Sequence, residues 1–243
     1  MRGHGLRGRR RHRVPAPPPP GPLPEPHGVT LLLVRHGESE GNVEGLIQGQ
    51  LDKPLTDLGH VQAKAVAERL RADGGADRIV TSPLSRALQT AEAIGSALDL
   101  PVTTDDRLME YDFGELSGLT AREVAERYPG WSWLIDGADT PRDMLPGEEG
   151  WPSFDARIAE AFADLMALEG QTVVVTHGGA IMAAMNAVMR MHGAAKAEGR
   201  RMRFPMKNCG ITELDSDPQG RLIVLRHNDA CHLPADTASV GSS

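Results

Sequence analysis

Apolar and polar positions alternate along this chain in two rhythms. Val29–Val34 is a short apolar run, the pattern of a strand buried in a sheet. From Thr56 to Arg71, Leu58, Val61, Ala65, Val66, Ala67 and Leu70 recur at helical spacing, and Thr56 is placed as the N-cap. "RIVT" at 78–81 predicts a second strand. Pro83–Leu98 predicts a helix, with proline in the first turn where its missing N–H does no harm. Val102–Thr104 is a third strand. Residues 108–150 are irregular and rich in Gly, Pro, Trp and acidic residues, with a short helix near Thr120–Arg127. Ser153–Leu168 reads as helix, Thr172–Thr176 as strand and Gly178–Met191 as helix. Gly210–Leu214 and Leu222–Leu225 are strands joined by the turn "DSDPQG". Strands alternating with helices predict an α/β domain whose mostly parallel sheet is covered on both faces. The chain has no internal repeat.

In such sheets ligands bind beyond the carboxyl ends of the strands. Arg35 and His36 follow the first predicted strand. "SPLSRALQTA" follows the second and places Arg86 about one turn into its helix. "DDRLMEYDFGELSG" follows the third and offers Glu110, while "HGG" follows "TVVVT" and offers His177. Taken singly, each has an ordinary explanation: a satisfied polar histidine, a surface arginine, a Glu110–Arg107 ion pair. Two strands that each run directly into His-Gly, beside two arginines and a carboxylate, change the balance. A phosphate monoester carries nearly two negative charges, and two guanidiniums hold it through bidentate hydrogen bonds. A neutral imidazole, its other nitrogen donating to a backbone carbonyl, is then a nucleophile toward phosphorus. A second, protonated histidine stabilises charge on the transferring group. The carboxylic acid protonates the leaving oxygen and later activates water. This chemistry takes its cations from side chains, so neither a metal nor another cofactor is expected.

Composition changes the picture mainly at the ends. Net charge is -7 over 243 residues, but residues 1–28 hold six Arg and one Glu, or +5, leaving -12 for the remainder. Any anion site in the acidic part must be a local basic pocket. The Arg-then-Pro-rich stretch 1–28 cannot build a core and is expected to be a disordered tail, as are residues 236–243. It lacks the apolar segment of a secretory signal. A basic arm for nucleic acid or membrane and an overlong translated start are both open readings of it. Aromatic residues make up 4%, which argues against stacking platforms for nucleic acid; weak binding by the Arg-rich tail is the one route left. Cys209 and Cys231 have no motif spacing and are read as reduced thiols, with a disulfide between them as the lesser alternative, and no apolar run is long enough to span a bilayer. The protein is expected to be cytoplasmic.

"LLLVRHGESEGN", "LTDLGHVQA", "TSPLSRALQTA", "LMEYDFGELSG" and "VVVTHGGAI", in this order and spacing, resemble the histidine phosphatase superfamily, the phosphoglycerate-mutase-like proteins, over roughly Val29 to Leu233. The resemblance implies a three-layer α/β/α sandwich spanning 29–235, with a cap-like insert at about 112–150. It implies that His36 is the phosphorylated nucleophile and Glu110 the proton donor. It gives Arg35, Arg86 and His177 phosphate-pocket roles, and places Asn42, Gln48, Gly49 and Gly178 around substrate and phosphate. Mutases of the family have a longer insert with an Arg-Arg pair for the glycerate carboxylate, and an Asn and a Trp downstream of RHG. Here the insert has Trp131 and Trp133 but no such pair, and Gly45 and Gln50 stand at the other two positions. The expected activity is therefore a metal-independent phosphomonoesterase acting on small phosphorylated metabolites. A phosphoglycerate mutase is the alternative, and a non-catalytic phospho-ligand binder a more distant one. The expected partner is a small phosphate monoester, with no membrane; a homodimer is left open.

Overall fold

The computed structural model describes residues 29–129, 145–188, 205–216, 219 and 221–234. The expected tails and the centre of the expected cap, with Trp131 and Trp133, lie outside them. The elements are β1 (Val29–Arg35), α1 (Glu40–Val43), α2 (Asp57–Ala72), β2 (Arg78–Thr81), α3 (Ser85–Leu98), β3 (Val102–Thr104), α4 (Ala121–Arg127), α5 (Trp151–Met166), β4 (Gly170–Thr176), α6 (Gly178–Val188), β5 (Ile211–Ser216) and β6 (Leu222–Asp229). The strands form one sheet in the order β3-β2-β4-β1-β5-β6. β3, β2, β4 and β1 are parallel, and β5 and β6 extend the sheet antiparallel.

The pleat explains the two layers of helices. Successive side chains of a strand point to opposite faces. Leu31 and Leu33 of β1, with Val174 of β4, pack against Phe154, Ile158, Ala161 and Leu165 of α5 and Ala180, Ile181 and Ala184 of α6. Leu32 and Val34, with Val173 and Val175, pack against Val66, Ala67 and Leu70 of α2 and Ala87, Ala91 and Ile94 of α3 on the other face. Leu31 to Val34 are all at most 1% exposed. Burying each such side chain stabilises the fold by roughly 1.5–3 kcal/mol. An unbroken apolar run is thus what a strand between two helical layers requires.

Several boundaries differ from expectation. α3 begins at Ser85, so Pro83 lies in the bend before it and Arg86 falls in the first turn, not a turn further in. Leu84 gives the helix no side-chain cap. The carboxylate of Asp52, from another loop, accepts from both the N–H and the hydroxyl of Ser85 at 2.7 Å instead. α5 starts two residues early, at Trp151, with Pro152 in its first turn.

Candidate active site

Parallel pairing brings three strand ends level. Arg35 of β1 stands opposite Thr176 of β4, and Thr81 of β2 opposite Val175. The next residues, His36, His177 and Ser82, therefore lie together along one edge. The His36 N–H continues the ladder to the Thr176 carbonyl at 3.0 Å. The two imidazole centroids are 5.2 Å apart. Nδ1 of His36 lies 2.7 Å from the Gly37 carbonyl, so this nitrogen carries the proton and Nε2 keeps its lone pair. Burial, then the nearby Arg86 and Arg35, hold His36 well below the usual imidazole range. It is therefore neutral at neutral pH.

His177 Nε2 lies 2.8 Å from the Ser82 hydroxyl, while its buried Nδ1 has no hydrogen-bond partner among the described residues. Burial, then Arg86, His36 and Arg35, also push this ring well below its ordinary value. The expectation of a protonated His177 concerns the ring beside a transferring phosphoryl group. The protein alone favours the neutral ring, and a phosphate dianion beside it would supply the charge needed to restore the proton.

Arg35 and Arg86 are 2% and 1% exposed. Arg35 donates to the Met206 carbonyl. Arg86 donates to the carbonyls of Leu51 at 2.9 Å and Gly49 at 2.7 Å, and its buried Nε has no partner among the described residues. Burial lowers its pKa to about 10, with Glu110 and Asp52 partly offsetting that, so it stays charged at neutral pH. No carboxylate lies within ion-pair reach of Arg86 among the described residues. A buried cation costs several kcal/mol unless it is compensated, so this one marks a place for an anion.

Glu110 approaches from the loop after β3. Its carboxylate accepts from the Tyr111 and Gly179 N–H groups, both at 2.9 Å. A Cβ on Gly179 would lie 2.2 Å from Glu110 Oε1, so the second glycine of "HGG" makes room for the acid. Glu110 is close enough to Arg35 and Arg86 to raise both of their pKa values. The alternative Glu110–Arg107 pair is not formed: Arg107 binds Asp105 at 2.8 Å and Asp164 at 2.7 Å.

The first loop supplies the rest. Ser39 and Asn42 close a capping box on α1, and Ser39 Oγ lies 3.0 Å from Gln48 Oε1. A Cβ on Gly41 would come within 2.4 Å of the Gln48 side chain, so Gly41 admits Gln48 to its place. Gly49 contributes the carbonyl that Arg86 holds, and Gly178 opens α6 directly after His177. Two residues here escaped sequence reasoning. Ser82 begins the same segment as Arg86 and was accessible to the strand-end rule. Asn208 donates to the His36 carbonyl at 3.1 Å and to Asn42 Oδ1 at 3.2 Å from a turn before β5, and no local pattern announced it.

With this geometry in place, comparisons with known proteins add an independent line. The family model described as histidine phosphatase superfamily (branch 1) matches residues 31–229. The chain is 38% identical over 190 residues to a protein named probable phosphoglycerate mutase GpmB from Proteus mirabilis (strain HI4320), covering 75% of this chain and 83% of that one. Its counterpart from Salmonella paratyphi C (strain RKS4594) is 34% identical over 210 residues, covering 84% and 94%. Among solved structures, a mycobacterial glucosyl-3-phosphoglycerate phosphatase complexed with VO3 superposes with a TM-score of 0.69 at 32% identity, covering 83% of this chain and 100% of that one. The phosphoserine phosphatase of Entamoeba histolytica in complex with 3-phosphoglyceric acid gives 0.68 at 29% identity, covering 85% and 100%.

Proposed function

The chain belongs to the histidine phosphatase superfamily, branch 1, and from that premise we propose that it is a phosphomonoesterase acting through a phosphohistidine on His36. One observation carries the reading: a neutral, tautomer-fixed His36 beside the buried Arg86, which has an N–H to spare and no carboxylate within ion-pair reach among the described residues. Arg35 and Arg86 hold the phosphoryl oxygens. His36 Nε2 attacks phosphorus, forming the P–N bond as the ester P–O bond breaks. Glu110 in its acid form gives its proton to the departing alkoxide. Glu110 as carboxylate then takes a proton from water, whose oxygen attacks phosphorus, releases phosphate and returns His36.

A phosphoglycerate mutase is the second reading, favoured by the names of the GpmB relatives. It shares the first half-reaction and differs in who receives the phosphoryl group. The absence of an Arg-Arg pair from the insert favours water over a second glycerate hydroxyl. Phosphorylated three-carbon acids are the first substrates to try, since the names of the relatives and of the solved structures point there. The test is turnover with EDTA present on a panel of monoesters, including 3-phosphoglycerate with and without the 2,3-bisphosphate. Phosphate release from several esters is expected. Interconversion of phosphoglycerates without phosphate release would establish the mutase instead.

A further inference from the structure

We propose that Arg157 of α5, held by Glu149, is a positioning residue that aims the Glu110 carboxyl at the leaving oxygen; this rests on the acid role given to Glu110 above. Glu110 sits on a strap that follows the short 3-10 turn Asp106–Leu108 and itself belongs to no helix or strand. Buried or half-buried carbonyls of such a strap need donors, and Arg157 supplies them. Its Nη1 donates to the Arg107 carbonyl at 2.8 Å and the Met109 carbonyl at 2.7 Å, and its Nη2 to the carbonyl of Glu110 itself at 2.8 Å. The guanidinium is fixed in turn. Glu149 pairs with Nε and, at 2.9 Å, with Nη2, and the Phe154 ring lies 4.8 Å beneath. Glu149 also binds the strap beyond the acid. Its Oε2 accepts from Asp112 N–H at 3.3 Å, and its own N–H donates to the Asp112 carbonyl at 3.0 Å. The strap is therefore pinned on both sides of Glu110. From the pocket side, Gln50 donates to the same Glu110 carbonyl at 3.2 Å.

A planar fork is the side chain for this task, because its five donors keep a fixed geometry that a lysine ammonium cannot copy. The clamp also separates two duties. The carboxyl end of Glu110 is oriented by the N–H groups of Tyr111 and Gly179, and the backbone end by Arg157. Loosening the backbone end leaves the nucleophile and both phosphate arginines in place and lets the acid drift. A drift near 1 Å at a reacting group costs on the order of a hundredfold in rate.

The experiment compares Arg157→Met, Arg157→Lys and Glu149→Gln on an alkyl phosphate and on p-nitrophenyl phosphate, whose leaving group hardly needs a proton. Expected is a loss of kcat about tenfold larger on the alkyl ester than on the aryl ester for Arg157→Met, with KM nearly unchanged. Glu149→Gln should show a smaller loss of the same kind, and Arg157→Lys should fall between wild type and Arg157→Met. In a Glu110→Gln background, Arg157→Met should cost almost nothing further. Equal losses on both esters, or full additivity with Glu110→Gln, would reduce Arg157 to a fold-stabilising residue and overturn the proposal. Should Arg157→Met not fold, the same ratio read from Glu149→Gln and Arg157→Lys decides. If Glu110→Gln itself fails to discriminate the esters, the acid assignment falls, and the clamp's catalytic meaning with it. If Glu110→Gln discriminates and the Arg157 variants do not, the clamp alone is refuted.

Discussion

His36 concentrates the argument at the scale of one residue. Its Nδ1 is tied to the carbonyl of its own neighbour, its ring is 3% exposed, and that burial, then two arginines, keep it neutral. Replacing it with Ala removes the atom that would become bonded to phosphorus while leaving Arg35, Arg86 and His177 in place. Turnover should fall by roughly a thousandfold or more, with phosphate-analogue binding retained. Protein quenched in alkali should lose the alkali-stable, acid-labile label that wild type takes from a radioactive substrate. Activity within tenfold of wild type would remove His36 from the role of nucleophile. Arg35, His36 and His177 were legible because they end or directly follow buried strands, where ordinary turn residues are expected; Arg86 and Glu110 were legible on the segments that follow β2 and β3, and Asn42, Gln48 and Gly49 through the family resemblance. Asn208 and Arg157 were not. Asn208 reaches His36 across 172 positions, and Arg157 reaches Glu110 across 47. Nothing in the local pattern of either sets it apart from any other polar residue in a turn or on a helix face.

At the scale of elements, the position of His36 depends on how one loop docks on α2 and α3. The Thr56 N–H donates to the Glu38 carbonyl at 3.0 Å, the Glu38 N–H to Gln62 Oε1 at 2.8 Å, and the Gly37 N–H to Thr90 Oγ1 at 3.0 Å. Two glycines make the contact this close. A Cβ on Gly59 would lie 2.0 Å from the Glu38 carbonyl oxygen, and one on Gly37 would lie 2.7 Å from the Gly59 carbonyl oxygen. Both obstacles are backbone and cannot swing aside. Gly59→Ala should therefore push the loop off α2, destabilising the fold by about 1–3 kcal/mol. It should also lower kcat by more than the loss of folded protein explains, which urea denaturation and active-site titration together would measure. An unchanged kcat per folded molecule would mean that the loop does not fix His36. The helix α2 was legible because its apolar positions recur over four turns and Thr56 caps it. α1 was not, because four residues give too little periodicity to read. The start of α3 was misplaced because its cap comes from Asp52, 33 residues earlier, and not from its own flank.

For the whole molecule, the same burial that makes the site work makes the fold sensitive to acid. Apolar runs mark β1 and β4 as buried strands, but the order of the parallel strands, and so which strand ends become neighbours, is decided by long-range pairing. That pairing sets both histidines in one dry pocket under Arg35 and Arg86. Each folded-state pKa lies well below 6.5, while the unfolded chain titrates near 6.5. Above that value both states are neutral and the histidines add no pH dependence. Below it the unfolded chain takes up protons that the folded one refuses, so stability falls as pH falls. Each histidine contributes up to about 1.4 kcal/mol per pH unit, so the pair approaches roughly 3 kcal/mol per unit below pH 6. His227 and His232, also lowered by burial, add in the same direction. Asp229, held near 2 by hydrogen bonds from Cys231 and by Arg69 and Arg226 despite its burial, acts in a more acidic window and does not blur the effect. Urea unfolding free energy should therefore drop between pH 7.5 and 5.5, and the slope should flatten when His36 and His177 are both replaced by Asn. Inorganic phosphate should flatten it too, because a bound dianion returns His177 toward its ordinary pKa and lets the folded state accept the proton. An unaltered slope in the double variant would place the acid sensitivity elsewhere in the protein. A slope that phosphate leaves untouched would mean that the anion does not reach the two rings.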